Sequence, residues 1–177
     1  GGLDTWLMAL VQEQDAVGEL LEKTVDANIK VLEQFNQAAG KYVEAIIFSD
    51  DMGTQHSEWF HPDIFKQVFA PHYKRVFSWI HENTDLKVFL HCCGSIPNLI
   101  EPLIDCGLDI LNPVQTSAAG MDPKWLKEQF GDKLVFWGGG MDTQGLLVNG
   151  SQEDFEKDVK RRLEIFTEGG GYVFNAI

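Results

Sequence analysis

The sequence predicts an α/β fold built on a parallel sheet, and three observations predict it. Short runs rich in β-formers alternate with stretches of helical periodicity along the whole 177-residue chain. The chemically unusual residues gather in the loops that follow the strands. The loops that precede the strands are plain glycine-containing turns.

From Leu3 to Ala39 the apolar residues Leu7, Leu10, Val11, Val17, Leu20, Leu21, Val25, Ile29, Leu32 and Phe35 recur at steps of three and four, which predicts one long helix ended by Gly40. Tyr42 to Asp50 is a short apolar run and reads as the first strand, closed by the polar loop Asp51-Met-Gly-Thr-Gln-His56. A helix is expected over about 62–82, then a strand at 87–92, a helix at 95–105 and a strand at 108–114. A short helix at 122–130 leads to a strand at 134–137, a helix at 152–167 and a final strand at 172–176. Ala39-Gly40, Cys106-Gly107, Phe130-Gly131 and Gly169-Gly-Gly171 stand before strands and read as helix caps.

This alternation implies right-handed βαβ crossovers, with the functional loops along one edge of the sheet. Five strands fall short of a closed (β/α)8 barrel, which needs eight strands and about 250 residues. An open sheet of five would leave two unpaired edges. The first residue is not Met, and the chain stops inside or just after its last strand. The expectation is a fragment of a larger TIM barrel, with the rest of its own barrel or another subunit at the open edges.

Composition narrows the function classes. The chain is 44% hydrophobic and 23% charged, enough for a substantial core, and its formal net charge of −13 argues against a nucleic-acid surface. No apolar run approaches the roughly 20 residues that span a bilayer, and no signal-like segment opens the chain. A soluble, cytoplasmic protein with no membrane partner is expected. Cys92, Cys93 and Cys106 make a poor disulfide framework; reduced thiols beside a histidine suit a metal or catalytic site.

The sharpest chemical signal is His91-Cys-Cys-Gly94 at the end of the second strand. Alternation puts His91 and Cys93 on the same side, at the carboxyl end where α/β folds carry their chemistry, and turns Cys92 the other way. Imidazole and thiolate both suit Zn²⁺, and a catalytic zinc site takes about three protein ligands and keeps one position open. Cys106 belongs at the opposite end of the sheet and is removed as the third ligand. After the first strand, Asp51 shares its phase with Ser49 and is the better pocket candidate; Asp50 shares its phase with Phe48. One of the two either contacts substrate or orients a metal ligand, or else caps a turn.

Gln55 and His56 could join from the same loop, although His56 and His61 suit solvated positions better. Asn112 and Gln115, either side of Pro113, are suited to hydrogen-bond a polar substrate or to serve as ordinary loop polarity. The Trp137-Gly-Gly-Gly140 turn, with Gly139 at its centre, can present N–H groups to an anion; close backbone packing is the simpler reading. Asn175 lies near the end of the last strand and can face the pocket. The acidic run Glu153, Asp154, Glu156 and Asp158 opens a helix and reads as a solvated face.

Several segments together resemble the uroporphyrinogen decarboxylase superfamily. They are Ala45-Ile-Ile-Phe-Ser-Asp-Asp-Met-Gly53, His61-Pro-Asp-Ile-Phe65, Ala70-Pro-His-Tyr-Lys-Arg75, His91-Cys-Cys-Gly94, Gly107-Leu-Asp-Ile-Leu-Asn-Pro113 and Gly138-Gly-Gly-Met-Asp142. Their order and spacing carry the likeness. It implies a uroporphyrinogen decarboxylase-like (β/α)8 barrel, with residues 1–177 covering roughly its last five β/α units and with N-terminal strands and the C-terminal end missing. The His-x-Cys-Gly motif points to the branch of zinc-dependent methyltransferases that move methyl groups between corrinoids and thiols. In that branch the His and Cys bind zinc together with a further Cys, implied here to lie beyond Ile177.

The leading expectation is therefore a zinc methyltransferase moving a methyl group between methylcobalamin or another corrinoid, the cargo of a partner protein, and a small thiol. Asp51 and Asp50 are the catalytic candidates; Gln55, Asn112, Gln115, Gly139 and Asn175 the substrate-binding ones; His91 and Cys93 the metal ligands. The alternatives are a metal-free decarboxylase of a porphyrinogen and an idle barrel half serving as an assembly module. The arginines, Arg75, Arg161 and Arg162, all fall in helix-like segments, which weighs against a substrate rich in carboxylates.

Overall fold

A computed structural model describes residues 2–176. Its sheet has five strands in the order β1 (Ala45–Ser49), β2 (Lys87–His91), β3 (Ile110–Asn112), β4 (Val135–Trp137) and β5 (Tyr172–Val173). β2, β3, β4 and β5 pair in parallel, with Phe89 opposite Ile110, Ile110 opposite Val135 and Phe136 opposite Tyr172. The expected strands are all present and all shorter than their apolar runs. Burial extends past the point where the ladder stops, as at Pro113, which has no N–H to give and follows β3 through a cis bond.

The contacts divide the chain into two compact units. The first comprises Gly1–Ile46, Trp59–Val88 and Asn98–Leu108 and is mainly helical. The single helix expected over 3–39 is two, α1 (Leu3–Gln12) and α2 (Gln14–Ala39), broken at Glu13. The Gln14 amide donates to the Leu10 carbonyl at 2.9 Å and takes an acceptor the helix ladder would use. Leu10, Val17, Val25 and Leu32 form the buried stripe across the break.

The helix expected at 62–82 is likewise divided into α3 (Pro62–Ile64), a π-turn at Phe65–Phe69 and α4 (Ala70–Asn83). Pro71 cannot donate, and the wider turn closes with Ala70 N–H bonding Phe65 C=O instead. Phe60 and Phe65 stack on Phe69, and Phe65, Tyr73 and Phe77 continue the row with tilted and edge-on contacts. Arg75 bridges α4 to Glu22 and Asp26 of α2. The last helix of this unit, α5 (Pro97–Cys106), is entered in the other unit at Pro97 and ends at the buried Cys106, whose Sγ meets the Ala70 carbonyl at 3.4 Å.

The second unit comprises Ile47–Glu58, Phe89–Pro97 and Asp109–Ile177. It holds α6 (Pro123–Phe130), α7 (Leu146–Asn149) and α8 (Gln152–Thr167) around a core that includes Leu111, Leu126, Phe136 and Phe166. Phe166 stacks on Tyr172 at 5.0 Å. Asp142 accepts the N–H groups of Gln144, Gly145 and Leu146 and so starts α7, a turn of helix that the apolar periodicity does not predict. Burial would raise the Asp142 pKa, but these N–H donors and the Arg162 charge outweigh it and hold the carboxylate below its ordinary range. Among the described residues, no helix is long and apolar enough to cross a membrane.

Candidate metal centre

Asp51, His91 and Cys93 all lie in the second unit. β2 ends at His91, and Cys93 follows two residues later with its Sγ 3.4 Å from His91 Nε2. Asp51 comes from the loop after β1: its Oδ1 accepts the Cys93 N–H at 2.9 Å and lies 3.9 Å from His91 Nε2. The ladder between the two loops continues as Asp50 N–H donates to the His91 carbonyl at 3.0 Å. Beyond it the chains touch main chain to main chain. Gly94 has φ +89°, and a Cβ there would stand 2.5 Å from the Gly53 carbonyl carbon, so only glycine lets the two loops close.

Asp51, His91 and Cys93 can each offer one ligand atom, and these atoms lie within 4.8 Å of one another. A tetrahedral zinc site with bonds of about 2.0–2.3 Å sets its donors roughly 3.3–3.8 Å apart, close to the separations around Nε2. Nitrogen, sulfur and carboxylate oxygen are all zinc donors, and three of them leave one position open. The donor set therefore fits the metal. Side-chain exposures of 38% for His91 and 56% for Asp51 keep one flank open to solvent.

The thiols differ with their surroundings. Burial, then the neighbouring Asp51 charge and hydrogen bond, raise the Cys93 pKa. The carboxylate beside it disfavours the Cys93 thiolate, and a cation held between the two would reverse that. Cys92 is buried beneath the Met52 N–H, 3.4 Å from its Sγ, and burial pushes its pKa up to about 12. Burial likewise pushes Cys106 up to about 11, and this residue is not in the group.

Behind the three donors stand the residues after β3. Asn112 is buried; its Oδ1 is 2.7 Å from His91 Nδ1, and its Nδ2 donates to the Trp137 carbonyl at 2.8 Å. Gln115, also buried, accepts the Gly94 N–H at 2.8 Å through Oε1, while its Nε2 meets no partner among the described residues. Between them Val114 has φ +60°, a strained conformation for a β-branched residue.

The remaining candidates are not in this group of donors. Asp50 and Gln55 are exposed, and the Gln55 carbonyl accepts the Ala119 N–H. His56 and His61 are exposed, and His61 caps α3 by accepting the Asp63 N–H. The triple-glycine turn is backbone packing: Gly138 has φ +128°, and a Cβ there would overlap the Pro113 carbonyl oxygen. Gly138 and Gly140 spend their N–H groups on Val173 and Asn175 carbonyls, the Gly139 carbonyl accepts from Arg162, and the Asn175 side chain is exposed. The further Cys implied past residue 177 lies outside the described residues.

Two residues of α8 depart from their sequence reading. Asp158, expected on a solvated face, is 10% exposed at its side chain and pairs with Arg162, which is 6% exposed. Arg162 starts from a helix, yet its guanidinium reaches the loops after β3 and β4, bonding Thr116 Oγ1 and the Gly139 carbonyl. The signal was present in the i, i+4 spacing of Asp158 and Arg162 one turn before the buried Phe166.

The comparisons with known proteins agree with this architecture. The family described as uroporphyrinogen decarboxylase (URO-D) matches residues 1–176. A search of curated proteins by sequence finds no match. Among solved structures, a methyltransferase from Methanosarcina mazei superposes with a TM-score of 0.71 at 18% identity, over 98% of this chain and 47% of that one. The chain thus spans about half the length of that protein, and at this identity the likeness is one of fold. Five parallel strands alternating with helices, matched over nearly the whole chain, place it in the uroporphyrinogen decarboxylase family, as part of that family's (β/α) barrel.

Proposed function

We propose that the chain forms part of a zinc-dependent methyltransferase, moving a methyl group between a corrinoid carried by a partner protein and a thiol or related acceptor. The observation that carries this reading is the convergence of Asp51, His91 and Cys93 at the carboxyl ends of β1 and β2. The fold shared with the Methanosarcina mazei methyltransferase supports the reaction class. In this reading the free edges of β1 and β5 are covered by the rest of the same barrel or by another subunit.

Zn²⁺, when bound, would lower the pKa of an incoming thiol, so that the nucleophilic thiolate forms at neutral pH. The chain supplies the rest. His91 offers a ring nitrogen, Cys93 its sulfur and Asp51 a carboxylate already oriented by the Cys93 N–H. The solvent-facing flank at Asp51 admits the acceptor, and the buried Asn112 and Gln115 keep water from the other side.

Metal analysis of the full-length protein tests this. About one equivalent of zinc is expected, lost on His91→Ala and Cys93→Ser. Less than about a tenth of an equivalent, unchanged by His91→Ala, sinks the reading. Methylcobalamin and a thiol together should change the corrinoid absorbance. Release of CO₂ from a porphyrinogen, with no corrinoid change, would instead identify a decarboxylase.

A further inference from the structure

The Asn112 amide has two ends, and the group that faces one of them fixes the orientation of both. The Trp137 carbonyl, 2.8 Å away, can only accept, so the end facing it must be the NH₂. Oδ1 therefore faces His91 Nδ1 at 2.7 Å. A carbonyl oxygen also only accepts, so Nδ1 must carry the proton. In a neutral imidazole that leaves Nε2 bare, and Nε2 is the atom beside Cys93 Sγ and Asp51 Oδ1.

We propose that Asn112 is a positioning residue that fixes His91 as an Nε2 donor, selecting its tautomer and aiming its lone pair at the space shared with Cys93 and Asp51. The chain of command runs from a main-chain atom of β4 through a side chain of β3 to the ligand at the end of β2. Asn112 is only 7% exposed, so water does not compete for the His91 Nδ1 proton on that side. An amide also orients the ring without adding a negative charge next to Asp51. The inference deepens the zinc reading, which it needs for its purpose though not for its geometry. It also takes Asn112 out of the substrate-binding set, since both ends of its amide are engaged within the chain.

The test begins with the metal-free full chain. Nitrogen-15 NMR of the imidazoles, with the His91 signals assigned by their loss in His91→Ala, should show Nδ1 protonated and Nε2 bare. An Nε2–H tautomer overturns the proposal. Zinc affinity is then measured by competition with a chromophoric chelator, with Co²⁺ absorption reporting thiolate ligation. Asn112→Leu, of similar size without polar atoms, should bind about 10–100-fold more weakly and show mixed tautomers. Asn112→Asp keeps an acceptor facing Nδ1 but sets a carboxylate oxygen against the Trp137 carbonyl, so it should hold the Nδ1–H tautomer while binding zinc more tightly than Asn112→Leu and more weakly than the parent. A folded Leu variant that binds like the parent, or an Asp variant with the Nε2–H tautomer, overturns the proposal. Should Asn112→Leu fail to fold, the parent tautomer and the Asp variant still decide. A chain that takes up no zinc while His91 remains Nδ1–H sinks the metal reading alone.

Discussion

At the scale of single residues, the three thiols separate by surroundings rather than by sequence. Cys93 is half-buried beside an open flank, whereas Cys92 and Cys106 are buried and held protonated up to about pH 12 and 11. A raised pKa means less thiolate at any lower pH, and the thiolate is the reactive form. Iodoacetamide at pH 8 should therefore label Cys93 first, with Cys92 and Cys106 following only as the pH climbs toward those values. Zn²⁺ should slow Cys93 alone. Peptide mass spectrometry reads all three sites, and faster labelling of Cys92 than of Cys93 would contradict the assignment. Strand alternation was enough to put His91 and Cys93 side by side, and phase with Ser49 singled out Asp51. Alternation carries no information about Asn112 and His91, because that contact depends on the register between β2 and β3, where the two residues are partners.

At the scale of elements, apolar periodicity located every long helix but not its interruptions. The break at Glu13 and the π-turn before Ala70 arise from a side-chain amide and a missing N–H, which a hydrophobic pattern does not register. The same limitation hid α8's inner face. Its acidic run reads as solvent-facing, yet Asp158 turns inward to Arg162, which ties α8 to Thr116 and Gly139. Removing one partner of a buried pair leaves the other charge uncompensated. Arg162→Leu should lower unfolding free energy by about 3–5 kcal/mol, while Arg161→Leu, at an exposed position, should cost under about 1 kcal/mol. Urea denaturation compares the two, and equal losses would show that the Arg162 links contribute nothing particular.

At the scale of the whole molecule, fold class was legible because alternation of strand and helix is a global pattern that tolerates errors at every boundary. The division into two units was not legible, since each gathers three separate stretches of sequence. That division gives metal binding a regional signature. Zn²⁺ at a hundred times its Kd should stabilise the protein by about 2.7 kcal/mol, an effect that His91→Ala removes. Hydrogen exchange should slow in segments 47–58, 89–97 and 109–176 more than in the remainder. Uniform slowing, or none, would detach the site from the unit that carries its donors. The link from His91 through Asn112 ends on a main-chain oxygen at position 137, and this bears on how such a site drifts over generations. The tryptophan side chain can be exchanged without touching that link, whereas a one-residue slip of β4 against β3 would present a different carbonyl. Natural variation at 137 should therefore be silent at the metal, and insertions or deletions just upstream of β4 should not.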